Sequence, residues 1–106
     1  MSATDREIDN GDVALAPSRP ELQPPSQYVV KLINDDYTPM DFVIIILMGI
    51  FSMPQSKAEE VTMAVHHEGE GIAGIYTREI AEAKIHQAEQ IARSQSHPLM
   101  LKMAKA

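Results

Sequence analysis

The stretch QYVVKLINDDYTPMDFVIIILMGIF, residues 27–51, joins a strand pattern to a helix pattern through a short polar turn. The side chains of residues 27–33 alternate as those of a β-strand with one buried face do. The residues that share one face of this strand are Tyr28, Val30 and Leu32. The apolar run after the turn is far too short to span a bilayer, so it predicts a core helix.

The end of the polar turn predicts where that helix begins. Thr38 is expected to be the N-cap, Pro39 the first helical residue and Asp41 the third, an arrangement similar to a capping box. We expect the helix to continue to about Phe51. A second helix is predicted to begin after Ser52-Met53-Pro54.

The rest of the chain predicts one more helix and two more strands. The second helix is expected to end in the stretch 68–71, and residues 72–76 are predicted to form a strand. Thr77 is expected to cap a third helix that continues to about Ser94, and a final strand follows Pro98. The residues expected to be buried on the second and third helices are Ala58, Val61, Val65, Ile80, Ala81, Ile85, Ala88 and Ala92. Those expected to face solvent on the third helix are Glu82, His86, Glu89 and Arg93.

This order, βααβαβ, predicts an α+β domain in which three helices pack on one face of a three-stranded antiparallel sheet. Residues 1–25 are polar, acidic and rich in proline, so they predict a disordered N-terminal extension. Residues 26–106 remain for a single domain, which at this size buries about 60–65% of its surface.

Charge and composition exclude several classes of function. A formal net charge of −6 argues against a nucleic-acid partner, and the absence of cysteine excludes disulfides and thiolate metal sites. The N-terminal residues have no apolar segment typical of a signal peptide. We therefore expect a cytoplasmic protein without a membrane segment, a metal or a cofactor.

Asn34, Asp35 and Asp36 place one amide and two carboxylates in consecutive positions of the turn. Such a cluster has many acceptors and few donors, which suits a ligand that carries only donors, such as an ammonium group. Met40 and Val43 follow closely and would add an apolar surface beside these acceptors. The alternative is structural, since such residues often form turns by bonding their own backbone.

His66 lies near the end of the second predicted helix. A neutral imidazole could offer one acceptor nitrogen to an ammonium group, although a solvated helix histidine is the commoner explanation. His67 points about 100 degrees away around the helix, so the two rings cannot face one ion together.

Several stretches in one consistent order resemble the ClpS family of bacterial adaptors. They are residues 24–28, Asn34 to Met40, Phe42-Val43, Ala64-Val65-His66, residues 76–79 with Ala83-Lys84, and His97-Pro98-Leu99. The family recognises N-terminal degrons and delivers them to the ClpA-type unfoldase of the Clp protease. The resemblance implies an adaptor, not an enzyme, for proteins that begin with leucine, phenylalanine, tyrosine or tryptophan.

The resemblance also implies roles for individual residues. The groups that hold the α-amino group correspond to Asn34, Asp35, Asp36 and His66, of which Asp36 is the weakest member because shaping the loop would explain it equally well. The side-chain pocket corresponds to Thr38, Met40, Val43, Thr62, Val65 and Leu99, with Met40 as a gate at its opening. Glu79 and Lys84 correspond to residues that dock on the N-terminal domain of the unfoldase, and the N-terminal extension engages the unfoldase during delivery. An acid in the first helical turn also interacts favourably with the helix dipole, which would by itself explain Glu79.

Two positions depart from the family pattern. The family usually has methionine at position 62, whereas this chain has Thr62, so we expect a wider pocket that carries a hydroxyl group. Related proteins have polar residues on the outer face of the first helix, where this chain has Ile45, Met48 and Gly49. These residues either pack under the N-terminal extension or form an exposed apolar patch for self-association or client contact.

Two alternative functions remain open at the level of sequence. An enzyme would need a nucleophile with a base or a glycine-rich phosphate loop, and no such signature occurs. The family fold also resembles the C-terminal domain of the ribosomal stalk protein, so a structural or interaction module without degron binding is the second alternative.

Overall fold

The structure, a computed structural model, describes residues 25–106. Its elements are β1 (Gln27–Ile33), α1 (Met40–Gly49), α2 (Gln55–Glu68), β2 (Glu70–Thr77), α3 (Arg78–Ser94) and β3 (Met100–Lys105). The predicted order βααβαβ is confirmed. The predicted disorder of the N-terminal extension concerns residues outside the described range, apart from Pro25.

The first strand is the centre of an antiparallel sheet with the order β2-β1-β3. Val30 and Leu32, on the predicted buried face of β1, have no exposed surface. They lie under the helices together with Ala73 of β2 and Leu101 of β3. On the opposite face, Ile72, Ile75 and Met100 are all more than half exposed, so the helices cover only one face.

The structure corrects the predicted start of α1. Pro39 is the N-cap, the helix begins at Met40, and no side chain caps it. The Thr38 hydroxyl instead donates to Asp35 Oδ2 at 2.9 Å. The Asp41 carboxylate accepts from the Phe42 N–H at 2.9 Å, so no capping box forms. The Thr38 hydroxyl is therefore bonded to Asp35 and does not cap the helix.

Two predictions for α3 are wrong. Ile80 was expected to be buried but is 49% exposed, because the buried face of α3 consists of Ala81, Ala88 and Ala92. These small side chains let the helix lie close to the sheet, and Ile80 is left at the margin. Glu89 was expected to face solvent, yet its carboxylate accepts a hydrogen bond of 3.0 Å from the Leu101 N–H of β3.

The connection between α2 and β2 is tight. Gly69 ends the helix in the left-handed region, with φ of 94°, which glycine adopts without steric cost. β2 then begins at Glu70, two residues earlier than predicted. A Cβ atom on Gly71 would lie 2.7 Å from Val65 Cγ2, so only glycine allows α2 to approach β2 this closely.

A small ionic cluster lies on the open face of the sheet. Glu70 Oε2 lies 3.2 Å from Lys31 Nζ, and Glu70 Oε1 lies 3.5 Å from Lys102 Nζ. The hydrogen bond from Lys31 is the main reason that the pKa of Glu70 is lowered. A lowered carboxyl pKa stabilises the fold above the pKa of the unfolded chain, and this contribution is lost as the pH falls through the folded value. Within residues 25–106, no helix has the length and apolar character needed to cross a membrane.

Candidate functional site

A cavity of about 280 Å³ lies where the end of β1, the following turn, α1 and α2 meet. It brings together every residue that was predicted for the amine site and for the side-chain pocket. These are Asn34, Asp35, Asp36, Thr38, Met40, Val43, Thr62, Val65, His66 and Leu99. The lining also includes Leu32, Ile33, Tyr37 and Pro39, which were not predicted, although their positions next to the turn motif were a usable signal.

One backbone hydrogen bond joins the two sides of the cavity. The Asn34 N–H donates to the Gly69 carbonyl oxygen at 2.9 Å, and this bond extends the β1–β2 pairing by one residue. It fixes the start of the turn against the C-terminal end of α2, three residues beyond His66. The Asn34 amide and the His66 ring consequently line the same cavity.

Asp35 holds the turn in its shape. Its Oδ1 atom accepts hydrogen bonds from the N–H groups of Tyr37 and Thr38, at 2.8 and 2.7 Å, in addition to the bond that Oδ2 accepts from the Thr38 hydroxyl. This is the local side-chain-to-backbone bonding typical of aspartate in turns. The alternative role considered for Asp36, shaping the loop, is therefore performed by Asp35. Asp36 is exposed, and its side chain accepts no hydrogen bond from residues 25–106.

The deeper part of the cavity is apolar. Val43, Val65 and Leu99 are buried and come from α1, α2 and the segment before β3. Met40, at the first position of α1, is 39% exposed and lies at the opening. A side chain that enters the cavity would contact these apolar groups, with Met40 nearest to solvent.

Thr62 lines the same cavity and is buried. Its hydroxyl donates a hydrogen bond of 2.7 Å to the Ala58 carbonyl oxygen, one turn earlier in α2. The hydroxyl hydrogen is thus already used within the helix, and the oxygen can act towards a ligand only as an acceptor. Met63, the neighbouring residue, is exposed and does not line the cavity.

His66 is exposed at the edge of the cavity. Its ring makes an edge-to-face contact with the ring of His67, with centroids 5.2 Å apart. His67 does not line the cavity, as predicted from its position on the helix. Residues 25–106 contain no group of three His, Cys, Asp or Glu side chains arranged to hold a metal ion.

Glu79 and Lys84 lie on α3, outside the cavity, and differ in accessibility. Glu79 is exposed in the first turn of the helix. The Lys84 ammonium donates to the Ile50 carbonyl oxygen at 2.8 Å and lies 5.3 Å from the centroid of the Tyr76 ring. Burial raises the pKa of Tyr76, so its ring remains neutral beneath the ammonium group. Lys84 therefore joins α3 to the end of α1 within the domain.

Comparison with known proteins assigns this chain to a family. The family model described as ATP-dependent Clp protease adaptor protein ClpS matches residues 23–102. The chain belongs to the ClpS family. Because this family consists of adaptors of the Clp protease, the predictions that the chain is an adaptor and not an enzyme are confirmed. The same assignment favours an adaptor over the stalk-like module.

Relatives match the chain over most of its length. The ATP-dependent Clp protease adapter protein ClpS of Hydrogenovibrio crunogenus is 48% identical over 95 residues, which cover 90% of each chain. The protein of the same name from Xanthomonas campestris pv. campestris is 43% identical over 103 residues, covering 97% of this chain and 96% of the relative. A solved structure of Agrobacterium tumefaciens ClpS2 bound to L-phenylalaninamide has a TM-score of 0.76 and 34% identity. It matches 78% of this chain and 100% of its own.

We predict that the two aspartates of the turn contribute unequally to stability. Asp35→Ala leaves the N–H groups of Tyr37 and Thr38 without their acceptor and should lower the free energy of unfolding by about 1–3 kcal/mol. Asp36→Ala, the matched control, should change it by no more than about 0.5 kcal/mol. Urea unfolding followed by circular dichroism measures both values. Equal losses in the two variants would show that the turn does not depend on the Asp35 bonds.

Proposed function

We propose that this chain binds the free α-amino group and the bulky hydrophobic first side chain of N-degron proteins, and delivers them to a ClpA-type unfoldase. The observation that carries this proposal is an acceptor-rich opening above an apolar cavity of about 280 Å³. L-phenylalaninamide, to which the Agrobacterium ClpS2 is bound, has a free amine next to an aromatic side chain, which is the same combination.

The opening of the cavity suits a protonated amine. An α-ammonium group has three donors and no acceptor, and the opening offers the amide oxygen of Asn34, the carboxylate of Asp36 and an imidazole nitrogen of His66. Asp35 holds the turn and adds a second negative charge close by. Both carboxylates favour a cation over a neutral acetylated terminus.

The size of the cavity suits one residue. Pockets for drug-sized ligands measure about 300–1,000 Å³, so a volume of about 280 Å³ has room for one large side chain and its amine but not for a longer peptide. Burial of one such side chain contributes about 1.5–3 kcal/mol, and each hydrogen bond to a charged group about 1.5–3 kcal/mol. After the costs of association, this leaves binding of about micromolar strength, which permits transfer of the client to the next partner.

The first prediction from the proposed function tests the requirement for a free amine. Acetylation of a leucine-leading peptide removes the charge and two donors, so its affinity should fall by at least about 100-fold, equivalent to roughly 2.8 kcal/mol. Fluorescence anisotropy with peptides that differ only in the acetyl group measures this ratio. Asn34→Ala should weaken binding of the unacetylated peptide. Gln90→Ala, which removes an exposed amide on α3, should leave this affinity unchanged. Equal affinities of free and acetylated peptides would refute degron binding.

The second prediction concerns the first side chain that the cavity accepts. Thr62→Met should fill part of the cavity, and leucine, the smallest of the four side chains, should gain most because it makes the fewest contacts in a wide cavity. Met63→Thr, a change at the exposed neighbouring position, is the control. The measurement is the affinity ratio between leucine and tryptophan peptides. If the ratio is the same in the wild type and in Thr62→Met, the width of the cavity at position 62 does not determine the preference.

Delivery to the unfoldase is proposed to use α3 and the N-terminal extension, residues 1–25. Glu79 is exposed and can contact a partner, whereas Lys84 is already bonded to Ile50. Lys84 would then act mainly by holding α3 and the end of α1 in position. The two residues that the family resemblance pairs are therefore expected to contribute by different physical routes.

The third prediction separates these two routes. Glu79→Gln should weaken binding to the unfoldase N-terminal domain by about tenfold. It should lower the free energy of unfolding by no more than the helix-dipole contribution of about 0.3–1 kcal/mol. Lys84→Ala should lower the melting temperature, because it leaves the Ile50 carbonyl without its donor. Glu60→Gln, a similarly exposed change on α2, is the control for binding. Calorimetric titration and thermal unfolding give the two readouts, and an unchanged melting temperature in Lys84→Ala would disprove the positioning role.

A further inference from the structure

An uncharged groove lies between α1 and α3, away from the cavity. It has a volume of about 330 Å³, and we call it the α1–α3 groove, defined by Ile45, Gly49, Gln87, Ile91 and Gln95. Ile45 is 63% exposed. Among the described residues, no charged side chain lines the groove, although the chain as a whole carries a net charge of −6. Exposed apolar surface of this kind commonly marks a contact with another protein.

The surface of α1 in this groove has a protrusion and a notch. Ile45 and Gly49 are four residues apart, so they lie on one face of the helix in successive turns. Apart from its chain neighbours and the backbone of its own helix, a Cβ atom on Gly49 would meet no atom within 4 Å, which means that open space lies above it. A branched side chain therefore stands one turn away from a notch on the same face.

This pairing is complementary to itself. If a second copy of α1 packs antiparallel across a two-fold axis between positions 45 and 49, each Ile45 lies over the Gly49 of the other copy. A two-fold interface requires this reciprocity, in which residue i contacts j and j contacts i. We propose that the α1–α3 groove is occupied by a second copy of this chain, in a two-fold symmetric dimer.

The flanking polar groups support the same occupant. Gln87 and Gln95 line the groove, and a glutamine amide both donates and accepts, so it can pair with an identical group. Contact between two uncharged grooves also brings no like charges together. Residues 1–24 of the same chain are a poorer occupant, because they carry five acidic and two basic side chains and the groove offers these charges no partner.

Dimerisation through this groove would leave the cavity accessible. Val43 lines the cavity and Ile45 lies two residues later, about 200 degrees around the helix. The two surfaces are therefore on different sides of α1, and a dimer would present two open cavities. A client assembly that carries two degrons could bind both cavities of the dimer, which raises its apparent affinity without a new contact. The dimer itself does not depend on degron binding.

The test is the association state of the full chain. Sedimentation equilibrium between about 10 µM and 1 mM should show a concentration-dependent dimer, since a groove of this size indicates an interface at the small, weak end of the range. Ile45→Asp should abolish the dimer by placing two carboxylates near the two-fold axis. Ile75→Asp, an equally large change at a 55% exposed isoleucine on the open face of the sheet, should leave it intact.

Exchanging the positions of the protrusion and the notch makes the test specific for this geometry. Gly49→Leu should abolish the dimer while leaving the melting temperature of the monomer unchanged or higher, because the added side chain meets free space. Adding Ile45→Ala to Gly49→Leu should restore the dimer, since the protrusion and the notch have changed places. Circular dichroism confirms folding of each variant.

Three results would overturn the proposal. The first is a wild-type chain that is monomeric at all these concentrations. The second is loss of the dimer in Ile75→Asp but not in Ile45→Asp, which would place the interface on the sheet. The third is a monomeric full chain whose truncated form, lacking residues 1–24, dimerises, which would make the N-terminal segment the occupant of the groove.

Discussion

The hydrogen bond between the Asn34 N–H and the Gly69 carbonyl oxygen is the contact on which the site depends. β1 lies in the middle of the sheet, with Val30 and Leu32 fully buried, so its path is fixed by pairing on both sides and by packing above. The bond extends this pairing by one residue, to Asn34, and so attaches the start of the turn to the end of α2. The turn and the helix cannot move apart without breaking an extension of the β1–β2 ladder.

Several polar groups of the site are already used inside the protein. Asp35 accepts three hydrogen bonds from the turn, and the Thr62 hydroxyl donates to the backbone of its own helix. Within residues 25–106, the side chains of Asn34, Asp36 and His66 make no hydrogen bond to the domain, and in the binding mode that we propose they face the ligand. This separation between groups that hold the site and groups that face its opening means that ligand binding need not rearrange the turn, a form of preorganisation that lowers the cost of binding.

α1 is apolar on nearly all its surface because its sides face three different apolar surroundings: the core, the cavity and the α1–α3 groove. Ile46 and Leu47 are buried in the core, Met40 and Val43 line the cavity, and Ile45 lies in the groove towards α3. A helix that is apolar all round in a small domain is normally buried on every side. Here the side that carries Ile45 has no cover within residues 25–106, which is the physical reason for expecting a partner there.

The sequence predicted best those structural features that depend on residues close to one another in the chain. The alternation of β1, the glycine-containing stretch that ends α2 and the acceptor-rich turn were all recognisable, because each follows from a few neighbouring side chains. The family resemblance added the residues of the cavity, which lie on four separate segments and share no local pattern. One local prediction was nevertheless wrong. Thr38 was expected to cap α1, but its hydroxyl bonds to the Asp35 carboxylate, which competes with the helix end for the same hydroxyl group.

Tertiary structure alone decided the contacts between distant segments. Lys84 bonds to Ile50, 34 residues away, and Glu89 bonds to the backbone of β3, and no periodicity in the sequence marks either partner. Ile80 is exposed because the alanines of α3 set how closely that helix approaches the sheet, a distance that the pattern of apolar residues does not contain. Sequence by itself thus determined the elements and the chemical character of the turn. Packing determined which polar groups are consumed inside the domain and which remain for a ligand, because that choice depends on distances between elements.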